Sequence, residues 1–367
     1  MIIFRYLARN LLTNTLAVSA ILMLVVVSGR FVKYLADAAA GKLDASVLLA
    51  LLVYRLPGFF EVVLPLAFFL SILLAYGQLY VESEMTVLQA CGMSQKTLMN
   101  YTLAVATLVA LVVASFSLYI SPSGFSKMDN LIKAQWQRGE VETLSPGKFY
   151  SLRADKGVTY TEAVSDDGVL SDVFLAQSAT DAENQGMVIV IADNGYSRKS
   201  EATGESYLVL REGYRIQGAP GRADFQITKF EEFGQRLEPM RLGDSVDVQG
   251  IPTGRLLGSN SPEHRAMLQW RISLPVMVLV VTLLAVPLSK TDPRKGRFNK
   301  ILPAVIIYVL YLLTLNAARG ALEDGHQLGH IAMPLVHLVF VGLALFLMAM
   351  TGGWRWKKTS QTVGVVA

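Results

Sequence analysis

Six runs of about 20 uncharged, mostly apolar residues constrain this chain more than anything else in it. They cover residues 10–29, 62–81, 97–120, 272–289, 301–318 and 331–354. Twenty residues of α-helix rise about 30 Å, the thickness of a bilayer's hydrocarbon layer, and a backbone in lipid must satisfy its own polar groups. The runs therefore predict six membrane-spanning helices. Composition agrees, since 52% of the 367 residues are hydrophobic and only 17% charged, too few charges for a water-facing globule. A shorter apolar run at 45–54 is cut by Arg55, Pro57 and Glu61, and reads as an interfacial helix or an extension into the second span. The start, up to Arg9, has the charge of a secretory leader. The run behind it is too long and lacks a small-x-small cleavage site, so it is read as a retained span.

Lysine and arginine set the expected orientation. Arg5 and Arg9 precede the first span, Lys96 follows the second, Lys290, Arg294, Lys295, Arg297 and Lys300 crowd the turn after the fourth, and Arg355, Lys357 and Lys358 follow the sixth. With six alternating spans all of these fall on one side. The other side's connections hold about half as many, chiefly Arg30, Lys33, Lys42, Arg55 and Arg319. Both termini are therefore expected in the cytoplasm.

Between Ser121 and Arg271 the pattern changes to short alternating runs. Residues 148–153, 158–161, 173–176, 187–192, 207–211 and 222–230 read as strands, with turns expected at Asp167-Gly168, Asn194-Gly195, Thr203-Gly204, Glu212-Gly213 and Pro220-Gly221. Six closely spaced strands with no helical period between them suggest a sandwich or jelly roll. Residues 126–138 read as a helix leaving the third span, and 254–261, flanked by Pro252 and Pro262, as a linker back to the fourth. The expected fold class is an α-helical integral membrane protein with six transmembrane helices, three on each side of an inserted periplasmic all-β (β-jellyroll) domain. The expected boundaries are 1–121, 122–265 and 266–367.

No nucleotide-binding Gly-x4-Gly-Lys-Ser/Thr loop occurs, so no ATP site of that type is expected. The single cysteine, Cys91, rules out an intrachain disulfide and has no nearby histidine to activate it. His326 and His330 lie four apart but have only Glu323 and Asp324 for company, so they read as a surface pair and not a metal site. Ser28 and Ser71 lack an intramembrane base, which argues against a membrane protease. No catalytic residue, metal ligand or cofactor is expected in this chain.

Two features remain. The first is the connection between spans two and three, Glu82-Ser83-Glu84-Met85-Thr86-Val87-Leu88-Gln89-Ala90-Cys91-Gly92-Met93-Ser94. Ser83 is placed to cap a two-turn helix, Gly92 to end it in the left-handed region, and the carboxylates favour its positive end. Val87, Leu88 and Cys91 share a face. The stretch is either a tight turn or a short helix presenting acid to a partner. The second is basic. Arg30 and Lys33 end the first span on one helical face, and Arg319 ends the fifth at the same expected depth. They serve as snorkelling anchors or hold an anionic ligand at the outer membrane surface, where phosphates suit them.

On these residues the chain resembles the YjgP/YjgQ permeases of the lipopolysaccharide-export ABC transporter. The resemblance runs over essentially the whole chain and is most specific in residues 82–94. Val286-Pro287-Leu288 and Pro293-Arg294-Lys295-Gly296-Arg297 fit it too, and the details favour an F-type over a G-type subunit. The resemblance implies a heterodimer with an LptG-like permease on an LptB-like ATPase dimer, with ATP and Mg bound by that ATPase. It implies that Glu82, Glu84, Val87 and Leu88 belong to a coupling helix seated in a groove of the ATPase, with Glu84 facing a basic residue. It implies that Arg30, Lys33 and Arg319 lie near the lipopolysaccharide headgroup, that spans one and five form lateral gates, and that the jelly roll joins that of an LptC-like protein by strand addition. The implied setting is the inner membrane of a Gram-negative bacterium. A lipoprotein-extracting permease of similar plan has four spans and fits less well. A non-transporting scaffold needs neither the acidic connection nor the basic cluster.

Overall fold

The computed structural model describes residues 2–350 apart from 40–42, 44, 138–146, 148, 153–156, 166–167, 179–185, 200–205, 220–224, 238–247, 291–299 and 327–328. In chain order the elements are α1 (Ile2–Ala39), a 3₁₀ turn (Ala45–Val47), α2 (Leu48–Val81), α3 (Glu84–Ala90), α4 (Gln95–Ser115), a π-helical turn (Phe116–Ile120) and α5 (Ser121–Gln137). Then come β1 (Phe149–Leu152), β2 (Gly157–Val164), β3 (Leu170–Ser178), β4 (Met187–Lys199), β5 (Ser206–Gly218) and β6 (Gln226–Leu237). The chain closes with α6 (Thr253–Leu257), α7 (Pro262–Leu288), α8 (Ile301–Glu323) and α9 (Gly329–Met350). Among the described residues six helical rods are long and apolar enough to cross a membrane, α4 and α5 counting as one through the π-turn. The run at 45–54 is an extension of the second span, and α2 passes Pro57 and Pro65 without ending. The expected linker at 254–261 holds most of the short helix α6. The basic residues Arg294, Lys295, Arg297, Arg355, Lys357 and Lys358 lie outside the described residues, as do the turns expected at Thr203-Gly204 and Pro220-Gly221.

The chain divides into two compact units. The first comprises Met1–Val27, Arg55–Ser126 and Val248–Ala367. Its core forms around α7, where Leu274, Met277, Val278, Val281 and Leu284 are fully enclosed with Phe68, Phe69, Ile72 and Tyr76 of α2. Lipid tails are as apolar as leucine, so burial alone does not hold such helices together, and packing and interhelical hydrogen bonds must. The Ser71 hydroxyl donates to the Leu11 carbonyl at 2.8 Å, joining α2 to α1, and the Tyr76 and Thr102 hydroxyls share a hydrogen at 2.7 Å, joining α2 to α4.

The second unit comprises Ser28–Tyr54 and Lys127–Asp247 and contains one antiparallel sheet of order β1-β2-β3-β4-β5-β6. Turns were expected at Asn194-Gly195 and Glu212-Gly213, but both pairs lie inside long strands. The reason is a crease. Pairing runs Val173↔Ala192 and Ser171↔Asn194 but lapses at the level of Asp172 and Asp193. It lapses at the same level between β2 and β3, β4 and β5, and β5 and β6, leaving Glu162, Asp172, Asp193, Glu212 and Glu231 in one exposed row. Asp172 (φ 49°) and Glu212 (φ 53°) are left-handed there. Alternation shifts by one residue across the row, so β3 buries Val173 and Leu175 on one side and Leu170 on the other. All strands shift together, and the register survives. Val173, Leu175, Val190 and Ala192 from one arm meet Leu170, Leu208 and Leu210 from the other in a single core. The polar and glycine residues that look like turns are what lets each strand bend.

Candidate functional site

The connection between α2 and α4 is built as a peg. α2 ends by folding its last amides back, Glu82 N–H to Gln78 O at 2.9 Å and Ser83 N–H to Tyr80 O at 3.2 Å. Ser83 stands at the head of α3 but does not cap it. Its backbone is left-handed (φ 63°), and a capping serine needs extended backbone to aim its oxygen at the following amides. Ser83 makes the corner instead. At the other end Gly92 (φ 96°) takes the expected left-handed position, its N–H reaching Gln89 O at 3.0 Å while Met93 N–H reaches Leu88 O at 3.1 Å. That pair of bonds is a Schellman closure. Ser94 then caps α4, accepting from Thr97 N–H at 3.1 Å.

Met85 anchors the peg, fully buried in the bundle core. The Tyr6 hydroxyl of α1 donates to Glu84 Oε2 at 2.8 Å, and Gln78 Nε2 donates to Glu82 Oε1 at 2.8 Å. Both carboxylates are exposed, Val87 is 60% exposed, Cys91 is exposed and Leu88 is half-buried. Glu82, Glu84, Val87 and Leu88 are thus held together on a knob two turns long, with Glu84 in the first turn where helix polarity favours a negative charge.

A second feature lies in the same unit, a cavity of about 310 Å³ lined by charged residues from three helices. Arg271 of α7 is 3% exposed. Its guanidinium donates to Thr253 Oγ1 at 2.7 Å and to the Gln249 carbonyl at 2.8 Å. Its own carbonyl accepts from Ser117 at 3.0 Å, and Thr253 donates on to the Leu118 carbonyl at 2.6 Å. Ser117 and Leu118 belong to the π-turn, whose wider winding leaves carbonyls for outside donors. Arg319 of α8 is held by Glu323 at 2.7 Å and lies 5.3 Å from the Trp270 ring. Arg55 lies 5.1 Å from the Phe125 ring. Facing them, Glu61 of α2 is 9% exposed, and among the described residues its Oε2 has no hydrogen-bond partner.

Of the three expected headgroup cations, the structure places Arg319 in this cavity. Arg30 and Lys33 belong to the second unit, where Arg30 is half-buried 6.0 Å from the Tyr34 ring and Lys33 is exposed. Arg55 and Glu61, which in the sequence only cut short the 45–54 run, both line the cavity. The sequence reading missed Arg271, taking it for the boundary of the fourth span. The available signal was an arginine abutting an apolar run within a turn and a half of buried Trp270 and Met267.

Residues 5–350 match the family described as "Lipopolysaccharide export system permease LptF/LptG". The chain is 31% identical over 348 residues to the "Lipopolysaccharide export system permease protein LptF" of Escherichia coli (strain K12), covering 95% of this chain and 94% of that one. The LptF of Shigella flexneri gives the same figures.

Proposed function

The chain belongs to the LptF/LptG family of lipopolysaccharide export permeases, and from that premise we propose that it extracts lipopolysaccharide from the outer leaflet of the inner membrane and passes it to a periplasmic β-jellyroll bridge toward the outer membrane. As a permease subunit it is a transporter component and not an enzyme. In this reading ATP and Mg are bound by an LptB-like ATPase dimer, an LptG-like permease completes the cavity, and an LptC-like protein receives the lipid from the jelly roll. Both termini lie in the cytoplasm and the β domain in the periplasm. The working division is 1–121 with the peg, 122–265 as the periplasmic domain with its connectors, and 266–367.

The peg is the observation that supports this most. An exposed acidic knob with an apolar side, anchored by one buried methionine and fixed to two spanning helices, suits a part that receives force from a separate motor. Glu82, Glu84, Val87 and Leu88 are its contact residues in this reading. The test is copurification from a Gram-negative membrane in mild detergent. The transport reading expects a soluble ATPase retained at stoichiometric levels with bound lipopolysaccharide; a scaffold retains neither, and that result overturns it.

Arg30, Lys33 and Arg319 are the proposed headgroup contacts. Reversing the first two, Arg30→Glu with Lys33→Glu, replaces attraction for phosphate by repulsion just beyond the apolar run of α1. Lipopolysaccharide-stimulated ATPase activity of the complex should fall roughly tenfold or more, since a lost charge-assisted contact is worth about 1.5–3 kcal/mol. Basal ATPase activity should persist. Unchanged stimulation removes these two residues from the headgroup site.

A further inference from the structure

The charged cavity of the first unit is unusual in what it leaves unmatched. A buried carboxylate oxygen without a donor is costly in an apolar setting, and ionisable groups inside membrane proteins mark ligand paths. Glu61 presents such an oxygen to a space about 310 Å³ in volume, near the lower end of small-molecule sites. Around it stand the guanidinium groups of Arg55, Arg271 and Arg319. Arg271 is held by neutral partners, Thr253 and the Gln249 carbonyl, and Arg319 by Glu323.

The two halves make different demands. Guanidinium groups call for an anion, and phosphate fits their fork geometry. A bare phosphate next to Glu61 would bring two anions together and still leave Oε2 without a donor. A group that satisfies both carries a phosphate and, two or three bonds away, an N–H or O–H. Trp270, Phe59 and Phe125 line the same space and give the apolar part of such a molecule somewhere to lie.

We infer that this cavity holds a lipid headgroup in which a phosphate is joined to a hydrogen-bond donor, and that Glu61 is the residue that reads the donor. The chemistry is shared by the phosphoethanolamine of a glycerophospholipid and by the phosphorylated glucosamine of lipid A. Because Arg319 serves both, the inference rests on the transport reading and adds to it a selectivity that charge alone does not give.

Phosphatidylethanolamine and phosphatidylcholine of matched acyl chains separate the donor from the charge, since both carry a phosphate and a cation but only the first has an N–H. The assembled complex is loaded with each in turn, and with lipid A, and retained lipid is counted by native mass spectrometry. The wild-type complex should retain phosphatidylethanolamine roughly tenfold over phosphatidylcholine. In Glu61→Leu that ratio should fall to about one, with the unfolding midpoint unchanged; Glu61→Gln, which keeps shape and a neutral acceptor, should give an intermediate ratio and serves if the leucine variant does not fold. Lipid A displacing phosphatidylethanolamine in a Glu61-dependent way assigns the site to the export substrate, and failure to displace it assigns the site to a resident phospholipid. Equal retention of the two phospholipids by wild type overturns the inference. If lipid A is then still held, independently of Glu61, the transport reading stands alone; if the complex holds no lipid A at all, that reading is the one that fails.

Discussion

Glu84→Arg is expected to strip the ATPase from the purified complex and abolish export while leaving this chain folded. The wild-type carboxylate stands at the head of α3, exposed, with Tyr6 as its contact inside the chain. Losing that bond and a favourable charge at the helix start costs about 1 kcal/mol, too little to unfold a spanning bundle anchored through Met85. In the proposed seating against a basic groove of the ATPase, reversing the charge is another matter. Truncating one member of a desolvated charge pair already costs about 2–5 kcal/mol, or roughly 30-fold to several thousandfold in affinity, and reversal adds repulsion. Tyr6→Phe is the control, removing the tether but keeping the carboxylate, and should cost less than about fivefold. Stoichiometric ATPase and normal export from Glu84→Arg would contradict the placement of the peg against the motor.

Gly213→Val should open the β domain. A Cβ at this position would sit 2.2 Å from the Ile191 carbonyl oxygen and 2.7 Å from Phe230 Cζ, and the first of these is backbone of a paired strand. The side chain has nowhere to turn, so β4 must part from β5 on the bent side of the crease. Overpacking of this kind costs about 3 kcal/mol or more, a large share of a small domain's stability. Limited proteolysis of the full chain in detergent should then cut within residues 149–237 and leave the helical bundle intact. The neighbouring change Glu212→Gly should do the reverse, because it relieves a left-handed non-glycine residue (φ 53°) and removes one charge from a crowded row. Protease resistance in Gly213→Val equal to wild type would mean that the crease has slack which the packing does not show.

The six spans were legible because length and apolarity are enough to specify them, and each expected run lies, to within one residue, in one of the six helical rods up to the described limit at 350. Several of their ends were not, because charged and turn-forming residues at both ends of α1 and at the start of α2 continue the helix beyond the apolar run. The peg was readable from its residue order, down to Gly92. Ser83 was misread because a serine before a helix usually caps it, and only the corner geometry shows that it turns the chain instead. The sheet was read strand by strand up to the crease. There Asn194-Gly195 and Glu212-Gly213 carry the signature of a turn without the reversal, and only neighbouring strands, each bending at the same level, explain them. The cavity was the least legible. Arg271, Glu61 and Arg319 lie far apart in sequence, and what joins them is the π-turn and the helix packing around it.

The row of carboxylates across the sheet ties this domain to its bathing medium. Five like charges lie on successive strands, which run about 5 Å apart in a sheet, inside the Debye length of about 8 Å at physiological ionic strength. Counterions therefore form part of what keeps the strands side by side. In dilute buffer the screening length grows to about 30 Å at 0.01 M and the repulsion rises with it. The domain is therefore expected to be sturdier in brine than in distilled water.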